Sequence, residues 1–550
     1  MSRPIRITLV VVLALSATLL AFREPAEKYF EIAKSLDIFA TLFKEVNSYY
    51  VDDVEPEKLV RKGIEGMLES LDPYTMYIPE EELENFRIQT TGQYGGIGAL
   101  IGIVNKKTVI THPYRDFPAY KAGLMVGDEI IAVDGKSVEG KPTSETSALM
   151  KGAARTDVEL TIRRYGVKDD IKFKIRRDRI SVSNLTYAGM ISATTGYLLL
   201  EDFTPGAGRE VEEAVKKLKQ EGAKSIILDL RDNPGGLLQE AVNIVSVFVP
   251  RGKEVVSTKG RVEEWNKSYS TLNSPVDLEI PLVVLVNGGS ASASEILSGS
   301  LQDYDRAVLI GSKTFGKGLV QTTRPLSYNA QLKLTTAKYY IPSGRCIQAL
   351  DYSHRNADGS VDRHIDSLRT AFTTAGGRTV FDGNGIDPDI KVDDEYVGDI
   401  TEALINSGLT FEYATRYFHE HREQKIGRGW KLSDAEYNAF VTWVKAQKFT
   451  YSTEFEARLQ RVREAAEAES RGKEIQTNLD QLAKVIAAGK EEDLVRYRDE
   501  IAGILESEIA FRYDLTRAEV DVRLDHDPAV LRALSLLADP GAYRSIFTAR

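Results

Sequence analysis

The chain has 550 residues and a formal net charge of −10, long enough for three or more domains at about 100–200 residues each. No Lys/Arg-rich run stands out from the mixed charges, which argues against nucleic acid as the partner. Cys346 is the single cysteine, so an intrachain disulfide and any multi-cysteine metal site are excluded.

The first element is an uncharged apolar run, residues 7–22, behind Arg3 and Arg6. It is slightly short of the roughly 17–25 residues that span a bilayer, and it predicts export with the positive flank left in the cytoplasm. With Leu19 three residues before a cut after Ala21, a small-x-small cleavage site is poor. An uncleaved membrane anchor is favoured over a signal peptide, and residues 1–25 are assigned to this segment. Residues 26–88 follow as a helical N-terminal region, with Phe30, Ala33, Leu36, Phe39, Phe43 and Val46 at helical spacing and Leu59, Gly63, Met67 and Leu71 repeating it.

From residue 89 to 178 the texture is β-type and glycine-punctuated, with YGGIG and then PAYKAGLMVGDEIIAVDG. Glycines at 95, 96 and 98 would let successive backbone N–H groups converge as an anion nest for a carboxylate, and the following stretch would offer a strand edge to an extended peptide. The module resembles a PDZ domain. Tyr94, Gly95, Gly96, Ile97 and Gly98 then form its expected carboxylate-binding loop.

Residues 179–395 alternate buried-strand candidates (GYLLLEDF, SIILDLR, PLVVLVN, RAVLIGS) with helical patterns such as REVEEAVKKLKQEG, which predicts an α/β core with a largely parallel sheet. Residues 396–550 are helical and charged, with apolar stripes such as Phe455, Leu459, Val462 and Ala466. Those stripes suit either a bundle packed on the core or a surface for a homodimer or partner.

Hydrolytic chemistry needs a nucleophile, a base and an oxyanion site. NGGSASASE offers Ser290, Ser292 and Ser294. None of His112, His354, His364, His419, His421 and His526 lies in a glycine-bracketed motif beside a buried strand. His419 and His421, two apart on a helix, read as surface residues before a metal pair. Lys317, bracketed by Gly316 and Gly318 in TFGKG, is the other candidate base. It can accept a proton near neutral pH if its surroundings lower its pKa from about 10.4 toward 7–8. If GLVQ continues as a strand, Lys317, Leu319 and Gln321 share a face. Ser292 with Glu295 also fits a capping box, and a helix start favours developing negative charge, so the capping and nucleophile readings coincide.

SIILDLRDNPGGLL, VNGGSASASEIL, LQDYDRA, GSKTFGKGLVQ and YYIPSGRCIQ occur in order after the PDZ-like block. Together they closely resemble the C-terminal processing (tail-specific) peptidases over roughly residues 30–390. The resemblance implies a crotonase-like or ClpP-like α/β core with an inserted PDZ domain. It implies a serine endopeptidase with Ser292 as nucleophile, Lys317 as base and Gln321 orienting that base. The oxyanion donors would be the backbone N–H groups of Ala293 and of Gly236 in preference to Gly235. Asp303 would support the site, and Cys346 would be an ordinary semi-buried side chain. No metal, nucleotide or organic cofactor is implied. The implied partners are proteins with free, apolar C-terminal tails, in the bacterial cell envelope on the periplasmic side. Two rivals are a non-catalytic scaffold that binds tails and an acyl-CoA enzyme of the crotonase type. The tail after residue 395 lies beyond the motifs that carry the resemblance.

Overall fold

Strands that are apolar along their whole length must be covered on both faces, and the four predicted core runs are such strands. A computed structural model describes residues 23–356, 358–363, 366–393, 397–469 and 472–548. The expected export segment, residues 7–22, lies outside the described residues. Among those described, no helix is long and apolar enough to cross a membrane.

The chain parts into two compact units, Met1–Tyr77 and Ile78–Arg550. The first contains the helices Arg23–Tyr49 and Pro56–Glu69, which meet where Gly63 faces the Phe39 ring. Much of its predicted apolar stripe is solvent-exposed, including Phe30, Leu36, Phe39 and Met67.

In the second unit, the strands Leu185–Met190, Thr195–Leu200, Ser225–Asp229, Leu282–Val286, Val308–Gly311 and Ile390–Lys391 lie side by side in chain order. The first pair is antiparallel and the rest are parallel. Alternate residues serve opposite faces. Leu198, Leu228, Val284 and Leu309 pack under the helices Ala207–Gln220, Leu238–Phe248 and Ala293–Asp303. Tyr197, Ile227, Val283, Leu285 and Ile310 pack against Val520, Leu524, Val530, Leu536 and Tyr543. The C-terminal region therefore supplies the second helical layer of the core. Five large side chains at about 1.5–3 kcal/mol each approach the whole net stability of a domain, about 5–15 kcal/mol, so the sheet depends on residues 520–543.

The rest of the C-terminal region is a bundle with its own core, including Leu404, Tyr413, Phe440, Ile501 and Leu505. The helix Arg498–Arg523 joins the two parts and breaks at Asp514 and Leu515, where Leu515 has φ +52°.

The PDZ-like module is an antiparallel sheet ordered Ala99–Val104, Lys107–Pro113, Glu129–Val133, Asp157–Arg163, Ile171–Arg176. Its GDEI segment is locked by buried Asp128, which takes the Arg164 guanidinium at 2.7 and 2.6 Å. Ala99–Val104 lies at the end of the sheet, leaving one edge of that strand for an added strand. The module meets the helical bundle where His112 stacks edge-on against Phe511 at 5.0 Å and where Arg115 pairs with Asp514.

Candidate active site

The buried strand Leu282–Val286 ends in a turn that delivers Ser292 to the start of the helix Ala293–Asp303. Ser292 has φ +55° and ψ −111°, a conformation that costs an L-residue about 1–3 kcal/mol and persists only when its surroundings hold it. Here they do. The Ala291 N–H donates to the Asn233 carbonyl at 3.0 Å, and the N–H groups of Glu295 and Ile296 donate to the Ser292 carbonyl at 2.9 Å each. Tyr339 Oη donates to the same carbonyl at 3.2 Å. The neighbouring serines are fully buried structural donors: Ser290 Oγ to the Leu230 carbonyl at 2.8 Å and Ser294 Oγ to the Asn233 carbonyl at 2.9 Å.

Glu295 does more than the capping expected of it. Its fully buried carboxylate accepts four hydrogen bonds, from Thr314 Oγ1 at 2.6 Å, the Gly316 N–H at 2.8 Å, the Lys317 N–H at 2.9 Å and the Ser292 N–H at 2.9 Å. Burial raises this carboxyl group above its ordinary range, and the donated hydrogen bonds only partly offset that rise. The serine turn and the lysine loop are thus joined at one carboxylate.

The glycines around Lys317 are there for close approach. A side chain on Gly316 would lie 2.5 Å from Ala349 Cβ, and one on Gly318 would lie 2.8 Å from the Gln348 nitrogen. The following strand begins at Leu319, so the shared-face expectation reaches Leu319 and Gln321 and stops short of Lys317, which sits in the preceding loop. Gln321 Nε2 donates to Thr335 Oγ1 at 3.2 Å on the adjacent strand.

The strand Ser225–Asp229 delivers the glycine pair beside the serine turn. A Cβ on Gly235 would come within 2.6 Å of the Ala291 carbonyl, 2.8 Å of the Ala293 nitrogen and 2.9 Å of Ser292 Cβ. The Gly235 N–H is committed to Asn233 Oδ1 at 2.9 Å, whereas among the described residues no acceptor takes the Gly236 N–H. The sequence reading missed Asn233, although it stands inside the DNPGG motif. Asn233 Nδ2 donates to the Leu200 carbonyl at 2.7 Å, so this fully buried residue, its side chain to one neighbour and its carbonyl to the serine turn, ties three neighbouring strand ends together.

Behind the helix, Asp303 is buried against Arg345 at 2.9 Å and accepts the Ser343 N–H at 2.9 Å. Burial pushes its carboxyl up and Arg345 opposes the shift. Burial also pushes the Cys346 thiol up, away from the reactive thiolate.

The carboxylate loop differs from expectation. Gln93–Gly96 is a strand paired with Asp178–Ser181, so Tyr94, Gly95 and Gly96 belong to a ladder, and neither glycine has positive φ. Gly95 is a glycine because a Cβ would lie 2.2 Å from the Gly152 carbonyl, and Gly96 because one would strike the Tyr94 ring at 2.7 Å. The turn proper is Ile97 and Gly98, with φ +76° at Gly98, immediately before the edge strand.

Residues 194–352 match peptidase family S41, residues 109–164 a PDZ domain, residues 400–537 the C-terminal helical domain of a probable PDZ-protease, and residues 18–82 the N-terminal domain of the activating protease CtpB. A carboxy-terminal-processing protease of Bartonella bacilliformis is 41% identical over 321 residues, 58% of this chain and 73% of that one. A probable CtpA-like serine protease of Staphylococcus aureus is 38% identical over 316 residues, 57% of this chain and 62% of that one. Among solved structures, a photosystem II D1 C-terminal processing protease is 27% identical with a TM-score of 0.34, over 64% of this chain and 92% of that one. A peptide-bound PDZ domain of a carboxy-terminal protease from Vibrio cholerae is 28% identical with a TM-score of 0.16, over 16% of this chain and 99% of that one.

Proposed function

Because the chain belongs to the carboxy-terminal-processing proteases, serine-type peptidases of family S41, we propose that it cuts exported proteins by a Ser292–Lys317 dyad after capturing their C-terminal tails. The observation that carries the dyad is the single Glu295 carboxylate holding the backbone of both residues at 2.9 Å. Ser292 Oγ attacks a backbone carbonyl while Lys317 takes its proton and then returns it to the leaving amine. Gln321 orients the lysine. The Ala293 and Gly236 N–H groups stabilise the oxyanion, each worth about 2.7–4 kcal/mol if fully engaged. Water then releases the acyl group from Ser292.

The turn at Ile97 and Gly98 receives the tail carboxylate, and the free edge of Ala99–Val104 aligns the preceding residues as an added strand. Half-buried Ala99 and Ile101 on that strand favour apolar tails. The same reading places the protein in the bacterial cell envelope, on the periplasmic side, held by residues 7–22 where these are uncleaved. It assigns the exposed Phe30, Leu36, Phe39 and Met67 to a homodimer contact.

The test is cleavage of an unstructured protein with an apolar tail, with and without an amidated C-terminus. Ser292→Ala and Lys317→Ala are expected to abolish cleavage, and amidation to weaken capture. Cleavage by both variants at the wild-type rate removes the dyad. Undiminished binding of the amidated tail removes the carboxylate loop.

A further inference from the structure

Arg231 stands at the base of the loop of residues 231–236 that ends in the glycine pair. Its guanidinium is held between two carboxylates. Asp229, fully buried, takes Nε at 3.0 Å and Nη2 at 2.6 Å. Asp527, from the C-terminal helical region, takes Nη1 at 3.0 Å and Nη2 at 2.6 Å. Two-point pairing of this kind fixes the plane of an arginine as well as its position. Asp527 is itself anchored. It is buried, and its Oδ1 accepts the N–H groups of Ala529 at 3.0 Å and Val530 at 3.1 Å, capping the helix Pro528–Ala538 that packs on the sheet.

From Arg231 the chain reaches Asn233 in two residues, and Asn233 binds both Gly235 and the serine turn. A displacement at Arg231 therefore passes to the Gly236 N–H and to Ser292 together. Tyr187 to Asp521, at 2.7 Å, is a second polar contact between the helical region and the sheet, made on the edge strand Leu185–Met190 instead of on this loop.

We infer that Asp527 is a positioning residue for peptide-bond hydrolysis: through Arg231, the C-terminal helical region sets where the glycine loop meets Ser292. The inference rests on the reading of Ser292 and Gly236 given above. It gives residues 396–550 a part in the chemistry as well as in covering the sheet.

The test uses the full chain, since residues 520–543 are needed by the core. Asp527→Asn keeps an equally good helix cap and removes the charge that grips Arg231. Its kcat on a tailed protein substrate is expected to fall about 10- to 100-fold, in line with small misplacements of reacting groups. KM is expected to stay near wild type, and the melting temperature to fall only modestly, since the Asn NH2 group meets an Arg231 N–H while Asp229 still pairs that arginine. Asp527→Glu, which restores the charge, should recover part of kcat, and Asp521→Asn, the control contact, should keep it. Should Asp527→Asn not yield folded protein, Asp527→Ser, which also retains a capping oxygen, is read by the same criteria. Wild-type kcat in the neutral variant, or an equal loss in Asp521→Asn, overturns the inference. Cleavage that survives Ser292→Ala unseats the underlying reading, whereas wild-type kcat in Asp527→Asn with Ser292→Ala inactive unseats the inference alone.

Discussion

The Lys317 N–H donates to Glu295 Oε2 at 2.9 Å, and the Ser292 N–H donates to the same oxygen at 2.9 Å. Two loops that come together only in the folded chain therefore share one acceptor. In Glu295→Gln an NH2 group replaces one of the two oxygens, so at least one of the four donors faces another donor, at about 1–3 kcal/mol for a buried group left unsatisfied. Expected are a loss of roughly a hundredfold in kcat from misplaced reacting groups, little change in KM for the tail, and a measurable drop in urea midpoint. Steady-state kinetics with a matched denaturation curve check this.

Gly235 leaves no room for a methyl group, because its Cβ would lie within 2.9 Å of three atoms of the serine turn. Gly235→Ala should therefore move Ser292 and lower cleavage by two or more powers of ten, on the order expected for a displaced oxyanion donor together with its nucleophile. Tail binding, measured by fluorescence anisotropy with a labelled peptide, should be unchanged.

The Asp303–Arg345 pair is almost wholly buried. Removing one member leaves a buried charge without its partner, which typically costs about 3–5 kcal/mol. Arg345→Met should lose stability on that scale in equilibrium unfolding, with activity following the folded fraction.

The strands of the core were legible because a strand covered on both faces is an unbroken apolar run, as in LVVLV. Their second cover was not. Stripes such as Leu459 and Ala466 announce helices but do not say what those helices pack against, and nothing local marks Val530 or Tyr543 as partners of Ile227 and Val283. Glycines misled for a related reason: Gly98 is a glycine for its positive φ, whereas Gly95 is one because another backbone passes close by, and the letters look alike. Asn233 was visible within a motif, yet its work is done by contacts to Leu200 and Ala291, far apart in sequence. Arg231 and Asp527 are 296 residues apart, so no local pattern joins them.

Two histidines at the contact between the PDZ-like module and the helical bundle are held neutral: His112 against Phe511, and His419, half-buried 5.8 Å from the Tyr165 ring instead of on the surface. Burial lowers His112 to about 4, and burial with nearby Arg422 lowers His419 to about 4. An unfolded histidine titrates near 6.5, so between about pH 6.5 and 4 the opened state binds protons that the packed state excludes. The contact should hold its full strength above that window and weaken as pH falls through it. Hydrogen exchange in Lys107–Pro113 and Leu409–Glu420 should accelerate at pH 5 relative to pH 7.5, and His112→Gln with His419→Gln should flatten the difference.

The dyad is tested most directly by trapping the covalent intermediate. Wild-type protein quenched with acid during turnover of a slow ester substrate, then digested and analysed by mass spectrometry, should carry the acyl group on the peptide containing Ser292. The adduct should be absent from Ser292→Ala and greatly reduced in Lys317→Ala. An acyl group on another residue, or undiminished turnover in Ser292→Ala, would contradict the account.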